Sequence, residues 1–265
     1  MATLARGDVD LYYECHGDGA PLLLITGLAS DSQSWQPVIA DLASRYRVIV
    51  VDNRGAGRTT PQDAPTSIRT MTDDCVALIE HLRLPSVHVL GHSMGGFVAQ
   101  DFAIRYPDNV GALMLVATSS VNSNRNNDLF ADWASALAGG ADMKTWFRTL
   151  FYWIFSTRFF DDDAVVEQAI QYALAYRYPQ SAVAFQNQIG AIAAFDSTET
   201  LSHIRSQTLV IGGAEDLLFP IEVCRTFSRA IPSAAFETVE NAAHSVHMEN
   251  PQAFVEQVFE FLPQR

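Results

Sequence analysis

The stretch VHVLGHSMGGFVAQ, residues 87–100, constrains the fold more than any other part of the chain. Its apolar start, 87–90, suits a strand buried on both faces, and from about Met94 the pattern suits a helix. Between them stands Ser93, with Gly91 two residues before it and Gly95 two after. In a G-x-S-x-G strand-to-helix turn the serine takes a strained backbone conformation. The flanking positions must be tiny because neighbouring backbone comes close. The turn lifts the hydroxyl clear of the sheet and sets it at a helix N-terminus, where unpaired amides favour negative charge.

The rest of the chain supplies the sheet that such a turn needs. PLLLIT (21–26), YRVIVVD (46–52), ALMLVAT (112–118) and TLVIGG (208–213) are further short apolar runs, and DLYYECHG (10–17) is extended. Between them, SWQPVIADLASRY (34–46) places Trp35, Val38, Ile39 and Leu42 at helical spacing. IRTMTDDCVALIEHLRL (68–84) does the same with Met71, Cys75, Leu78, Ile79 and Leu82. Buried strands alternating with amphipathic helices predict an α/β fold: a mostly parallel sheet flanked by helices. The alternation breaks after residue 118. From about 121 to 195 the text is helical and rich in large aromatics, and strand signals resume at Thr208. FETVENAAH (236–244) and a final helix, PQAFVEQVFEFL (251–262), close the chain. The expected division is an α/β core of residues 1–120 and 196–265, with a helical cap of 121–195 over the sheet.

A serine hydroxyl needs a base to become a nucleophile, and the base needs an orienting acid. In this turn architecture the partners follow in the order serine, acid, histidine, on loops after later strands. Of the seven histidines, His203, His244 and His247 come late enough; His203 precedes a strand, at the wrong end of the sheet, and His244 directly follows the last strand signal ahead of the final helix. His247 reads as a packing or locally hydrogen-bonded residue. For the acid, TLVIGG runs into AEDLLFP, which puts Asp216 just past a strand end with Glu215 as its rival. The oxyanion of the reaction needs two fixed N–H donors. Met94, directly after the nucleophile, is one candidate, and Leu28 in TGLAS (26–30) is the other.

Composition narrows the partners. The net charge of −13 repels polyphosphate, so nucleic acid and anionic membrane are discounted as partners. Three scattered cysteines with no C-x-x-C argue against a disulfide framework or a zinc cluster. No metal and no organic cofactor is implied. The first ten residues lack a signal-peptide core, and no apolar run approaches a membrane span, so the cytoplasm is expected. A small molecule is the expected partner, with a homodimer left open.

By these residues the chain resembles the α/β-hydrolase family, and within it the cap-bearing serine esterase and enol-lactone hydrolase branch. LLLITGLASDSQSW resembles the oxyanion segment, VDNRGAGRT (51–59) the D-x-R-G-x-G-x-S segment, and GHSMGG the nucleophile turn. GGAEDLLFP resembles the acid loop at Asp216, and NAAHSVHMENP the histidine loop at His244. Two departures stand out: Thr26 where the family has a histidine that braces the oxyanion loop, and Thr59 in place of serine. The resemblance implies eight mostly parallel strands with a helical cap, and hydrolysis of a small or medium hydrophobic ester or lactone through an acyl-enzyme. Ser93, His244 and Asp216 would form the triad, with Leu28 and Met94 holding the oxyanion. The cap aromatics, Trp146 and Trp153 among them, are the expected substrate-pocket residues. One of Arg125, Lys144, Arg148, Arg158 and Arg177 would hold a substrate carboxylate if the enzyme were an enol-lactone hydrolase. Arg54 is expected to brace a loop. The same triad also suits a C–C bond hydrolase, a cofactor-free perhydrolase or a small-molecule receptor.

Overall fold

The apolar runs are continuous because their side chains alternate between two cores. In strand β3, Ala20–Ile25, Leu22 and Leu24 enter one core while Leu23 and Ile25 enter the other, and all four are fully buried. This computed structural model describes residues 2–262. Its other strands are β1 (Ala2–Arg6), β2 (Val9–His16), β4 (Tyr46–Val51), β5 (Val87–His92), β6 (Val110–Val116), β7 (Gln207–Gly213) and β8 (Ala234–Val239). They form one eight-stranded sheet in the order β1-β2-β4-β3-β5-β6-β7-β8. β1 and β2 pair antiparallel, as do β2 and β4, and every other neighbouring pair is parallel.

Helices cover both faces. α1 (Gln36–Ala43) and α10 (Pro251–Phe261) close one core, where Trp35, Leu42, Phe254 and Val258 meet Leu24, Val50 and Met114. α2 (Ile68–His81), α3 (Met94–Arg105) and α8 (Ile221–Ala230) close the other, with Phe97 and Phe102 against Val89 and Leu113. Between β6 and β7 the chain leaves the sheet and runs through α4 (Asn124–Ala138), α5 (Met143–Ile154), α6 (Asp163–Leu174) and α7 (Ala182–Ala193), with no strand among them. A one-turn helix, α9 (Val246–Glu249), precedes α10. No helix among the described residues is long and apolar enough to cross a membrane. All three cysteines are unpaired, with Cys75 and Cys224 buried and Cys15 exposed.

Because the sheet is parallel through its centre, the loops after β3, β5, β7 and β8 all leave from one edge. Open α/β sheets bind ligands at the carboxyl ends of their strands. Residues 27–31, 93, 214–219 and 240–245 are brought together there.

Candidate active site

Ser93 joins β5 to α3 with φ 54° and ψ −120°, a left-handed conformation that costs a non-glycine residue about 1–3 kcal/mol. The surroundings hold it there. Its N–H donates to the Val116 carbonyl (2.9 Å), and its carbonyl accepts from the Gly96 N–H (2.8 Å) and the Thr118 hydroxyl (3.0 Å). Serine commonly caps a helix with its side chain. Here the strained backbone turns the hydroxyl away, and it makes no capping bond to α3. The two flanking glycines are demanded by crowding: a Cβ on Gly91 would overlap the Gly95 carbonyl, and one on Gly95 would overlap the Ile25 carbonyl.

His244 hangs from the loop after β8, and its Nδ1 lies 2.9 Å from Asp216 Oδ2. Both side chains are almost fully buried. Asp216 Oδ1 accepts the N–H groups of Leu218 (2.8 Å) and Phe219 (3.0 Å), which fix the carboxylate in one orientation. An ionised carboxylate can only accept, so the Nδ1 position carries the proton and Nε2 is left with a free lone pair. Glu215 is directed elsewhere, and its Oε2 accepts the N–H (3.2 Å) and hydroxyl (3.0 Å) of Thr157. Among the described residues no hydrogen bond joins Ser93 Oγ to the imidazole. The two groups open on the same cavity, and serine reorients about a single bond. Catalytic contacts of this kind are commonly long before substrate binds.

Gly27 packs directly on the serine: a Cβ there would stand 3.0 Å from Ser93 Cβ. Leu28, the next residue, lines the same cavity as Ser93, and Met94 opens α3 directly after the serine. The N–H groups of Leu28 and Met94 are engaged by no other group among the described residues. Thr26, the departure from the resembled oxyanion segment, takes part in a different brace. Asn53 Nδ2 donates to the Thr26 carbonyl (3.0 Å) and hydroxyl (3.3 Å), and that hydroxyl donates to the Ser30 carbonyl (3.2 Å).

The cavity above these groups measures about 600 Å³ and lies between the strand-end loops and α4–α7. Phe130, Trp133, Trp146, Phe147, Phe151 and Phe155 line it. Trp153 does not. The cavity-facing arc of α5 centres on Phe147, Leu150, Phe151 and Ile154, and at about 100° per residue Trp153 falls at its margin, with the Arg125 guanidinium 5.5 Å from its ring. None of Arg125, Lys144, Arg148, Arg158 and Arg177 reaches the cavity wall. Lys144 and Arg148 pair with Glu167, and Arg177 lies over the Tyr178 ring. Arg54 is buried and ties Asp8 (2.8 Å) to Asp74 (2.5 Å), away from the cavity.

Residues 20–251 match the family described as the alpha/beta hydrolase fold. The chain belongs to the alpha/beta hydrolase family. Among its relatives is a protein of Azorhizobium caulinodans named "Putative carbamate hydrolase RutD", 29% identical over 96% of each chain. Among solved structures, the enol-lactonase from Burkholderia xenovorans LB400 superposes with a TM-score of 0.88 at 24% identity, covering 98% of both chains; that likeness concerns the fold. A thermophilic esterase from Thermogutta terrifontis gives a TM-score of 0.85 at 28% identity, covering 98% of this chain and 96% of that one.

Three further residues, His92, Glu249 and Asp31, make contacts around the site that the sequence reading did not assign. His92 lines the cavity, and its Nε2 donates to the His244 carbonyl (2.8 Å), tying the serine turn to the histidine loop. Burial holds the His92 ring well below the ordinary histidine range, with the neighbouring His244 and His247 adding to the effect, so it stays neutral. Glu249 clasps the same loop, accepting from Ala243 N (2.7 Å) and from Ser156 N (2.8 Å) just beyond α5. Asp31 stands in the cavity wall with its carboxylate on the Tyr176 hydroxyl.

Proposed function

We propose that this chain is a serine hydrolase that cleaves a small or medium hydrophobic carboxylic ester or lactone through an acyl-enzyme. The observation that carries this reading is the 2.9 Å contact between His244 Nδ1 and Asp216 Oδ2, on a ring that opens on the same apolar cavity as Ser93. Ser93 Oγ attacks the substrate carbonyl carbon as His244 Nε2 takes the hydroxyl proton. The Leu28 and Met94 amides hold the oxygen as it becomes negative. Collapse of the tetrahedral intermediate breaks the bond to the alcohol oxygen, which leaves with the proton from Nε2. Water, deprotonated by the same nitrogen, then attacks the acyl-enzyme and releases the acid. Asp216 stays ionised throughout and stabilises the imidazolium.

A carbamate, the substrate class in the name of the Azorhizobium relative, presents the same carbonyl to the same groups. The aromatic lining favours a longer apolar chain than a small carbamate brings. Initial rates on p-nitrophenyl esters of increasing chain length, on a lactone and on a p-nitrophenyl carbamate decide between them. Rapid multiple turnover of the medium-chain esters, lost in Ser93→Ala, is the expected result. Faster turnover of the carbamate would replace the ester reading. A single slow acylation with no turnover would mark a small-molecule receptor.

A further inference from the structure

The substrate cavity carries formal charge of one sign. Among the residues that line it there is no lysine or arginine, and Asp31 is the one carboxylate. Burial, and then the neighbouring Asp52, raises the Asp31 carboxyl from the ordinary aspartate range, while the Tyr176 hydroxyl and the Gln33 N–H favour its charged form. Asp31 is tied but not saturated: Oδ1 accepts the Gln33 N–H (2.9 Å) and Oδ2 the Tyr176 hydroxyl, whereas a carboxylate offers about four acceptor positions. Tyr178 and Gln180 continue this polar wall, and Phe130, Trp133, Trp146 and Phe147 form an apolar one.

One cation, Arg58, acts on Asp31, and it is shared with other carboxylates. Arg58 lies behind the wall, with Nε 3.1 Å from Asp52 Oδ2 and a terminal nitrogen 3.0 Å from Glu14 Oε1. Asp31, Asp52 and Glu14 thus answer to one guanidinium, with His16 on the outer side of Glu14. A substrate carboxylate in this cavity would give up its water, meet no cationic partner and stand near a buried negative group. A hydroxyl or an ammonium would find the free acceptor positions of Asp31.

We propose that the site selects against anionic substrates, with Asp31 as the specificity-determining residue, and that it takes esters joining an apolar chain to a neutral or cationic hydrogen-bond donor. This rests on the ester reading above and names its substrate class.

The test uses hexanoyl esters of four alcohols: ethyl, 2-hydroxyethyl, 2-aminoethyl and carboxymethyl. The wild-type enzyme is expected to favour the hydroxyethyl and aminoethyl esters over the carboxymethyl ester by about tenfold or more in kcat/KM, carried by KM. Asp31→Asn keeps an oxygen for the Gln33 N–H and removes the charge. In that variant the ratio is expected to narrow by about tenfold, through KM of the anionic ester. Equal use of the hydroxyethyl and carboxymethyl esters by the wild type overturns the proposal, as does an unchanged ratio in a folded Asp31→Asn. Binding of the same esters to Ser93→Ala reads the selectivity apart from chemistry. Selective binding without wild-type turnover would overturn the ester reading and leave the charge selectivity standing, whereas equal binding would overturn the selectivity itself.

Discussion

Asp216 gives its two oxygens different work: Oδ2 faces His244 Nδ1 at 2.9 Å, while Oδ1 is held by the amides of Leu218 and Phe219. In Asp216→Asn the side-chain oxygen stays on the two amides and the NH2 group turns to Nδ1. The ring is then forced into the tautomer with its proton on Nε2, which cannot accept the serine proton. The expected loss is about 10³–10⁴-fold in kcat, with little change in KM. Glu215→Gln keeps its acceptor for Thr157 and is expected to stay within about twofold of the parent. Steady-state kinetics on a p-nitrophenyl ester compares the two, and the opposite ranking would move the acid to Glu215.

The backbone of Ser93 separates activity from stability. Ser93→Ala and Ser93→Gly both remove the hydroxyl, and each is expected to lose at least about 10³-fold in rate. Glycine takes φ 54° without strain, whereas alanine does not. Ser93→Gly is therefore expected to be more stable than Ser93→Ala by about 1 kcal/mol, the relieved strain exceeding the added chain entropy. Urea denaturation of the two inactive variants measures this. Equal midpoints would mean that the turn holds no strain at that residue.

Asn53 is hydrogen-bonded to the 26–30 loop, which is proposed to hold the oxyanion. Its amide donates to Thr26, and Thr26 bonds to Ser30, so the pair fixes both ends of the turn that presents the Leu28 N–H. Asn53→Ala is expected to lower kcat about ten- to hundredfold while KM shifts little, because the lost contact misplaces a group used in the transition state. The stability cost should be about 1–3 kcal/mol, for a buried carbonyl left unpaired. Unchanged kcat in a destabilised variant would show that Thr26 alone holds the loop.

The parts legible in the sequence are those that a local pattern encodes. Leu22 to Ile25 reads as a doubly buried strand because both faces of β3 are covered, and Gly91, Ser93 and Gly95 read as a turn because the crowding there excludes a Cβ. β1 escapes the pattern because it is an edge strand with largely exposed side chains. α8 is short, and of its ten residues only Cys224, Phe227 and Ser228 are buried, so its apolar stripe spans little sequence. The cavity is less legible still. Trp146 and Trp153 are one residue type seven apart on one helix, and only the packing of α5 against α4 decides that the first lines the cavity and the second does not. Asp31 and Tyr176 lie 145 positions apart, and nothing local to either predicts their contact.

Acid should unfold this protein through its buried histidines. His247 lies between Trp35, at 4.2 Å between ring centroids, and Phe254, at 6.0 Å, and neither ring nitrogen has a hydrogen-bond partner among the described residues. Burial, and then the charge of His244, pushes it down to about 3 from the ordinary 6.5. The sign follows from proton counting. Below about pH 6.5 the unfolded chain binds a proton at His247 that the folded chain refuses until about pH 3, so stability is complete above 6.5 and falls across that window. Each such group contributes a slope of about 1.4 kcal/mol per pH unit, and His92, lowered in the same direction, adds its own. His247→Phe keeps the ring packing and gives up no hydrogen bond. Its unfolding free energy, measured in urea from pH 7 to pH 4, is expected to fall less steeply than the parent's by about one group's slope. The slope is the quantity to compare, since a larger ring can shift the absolute stability at every pH. Parallel curves for parent and variant would mean that His247 takes up its proton in the folded protein as readily as in the unfolded chain.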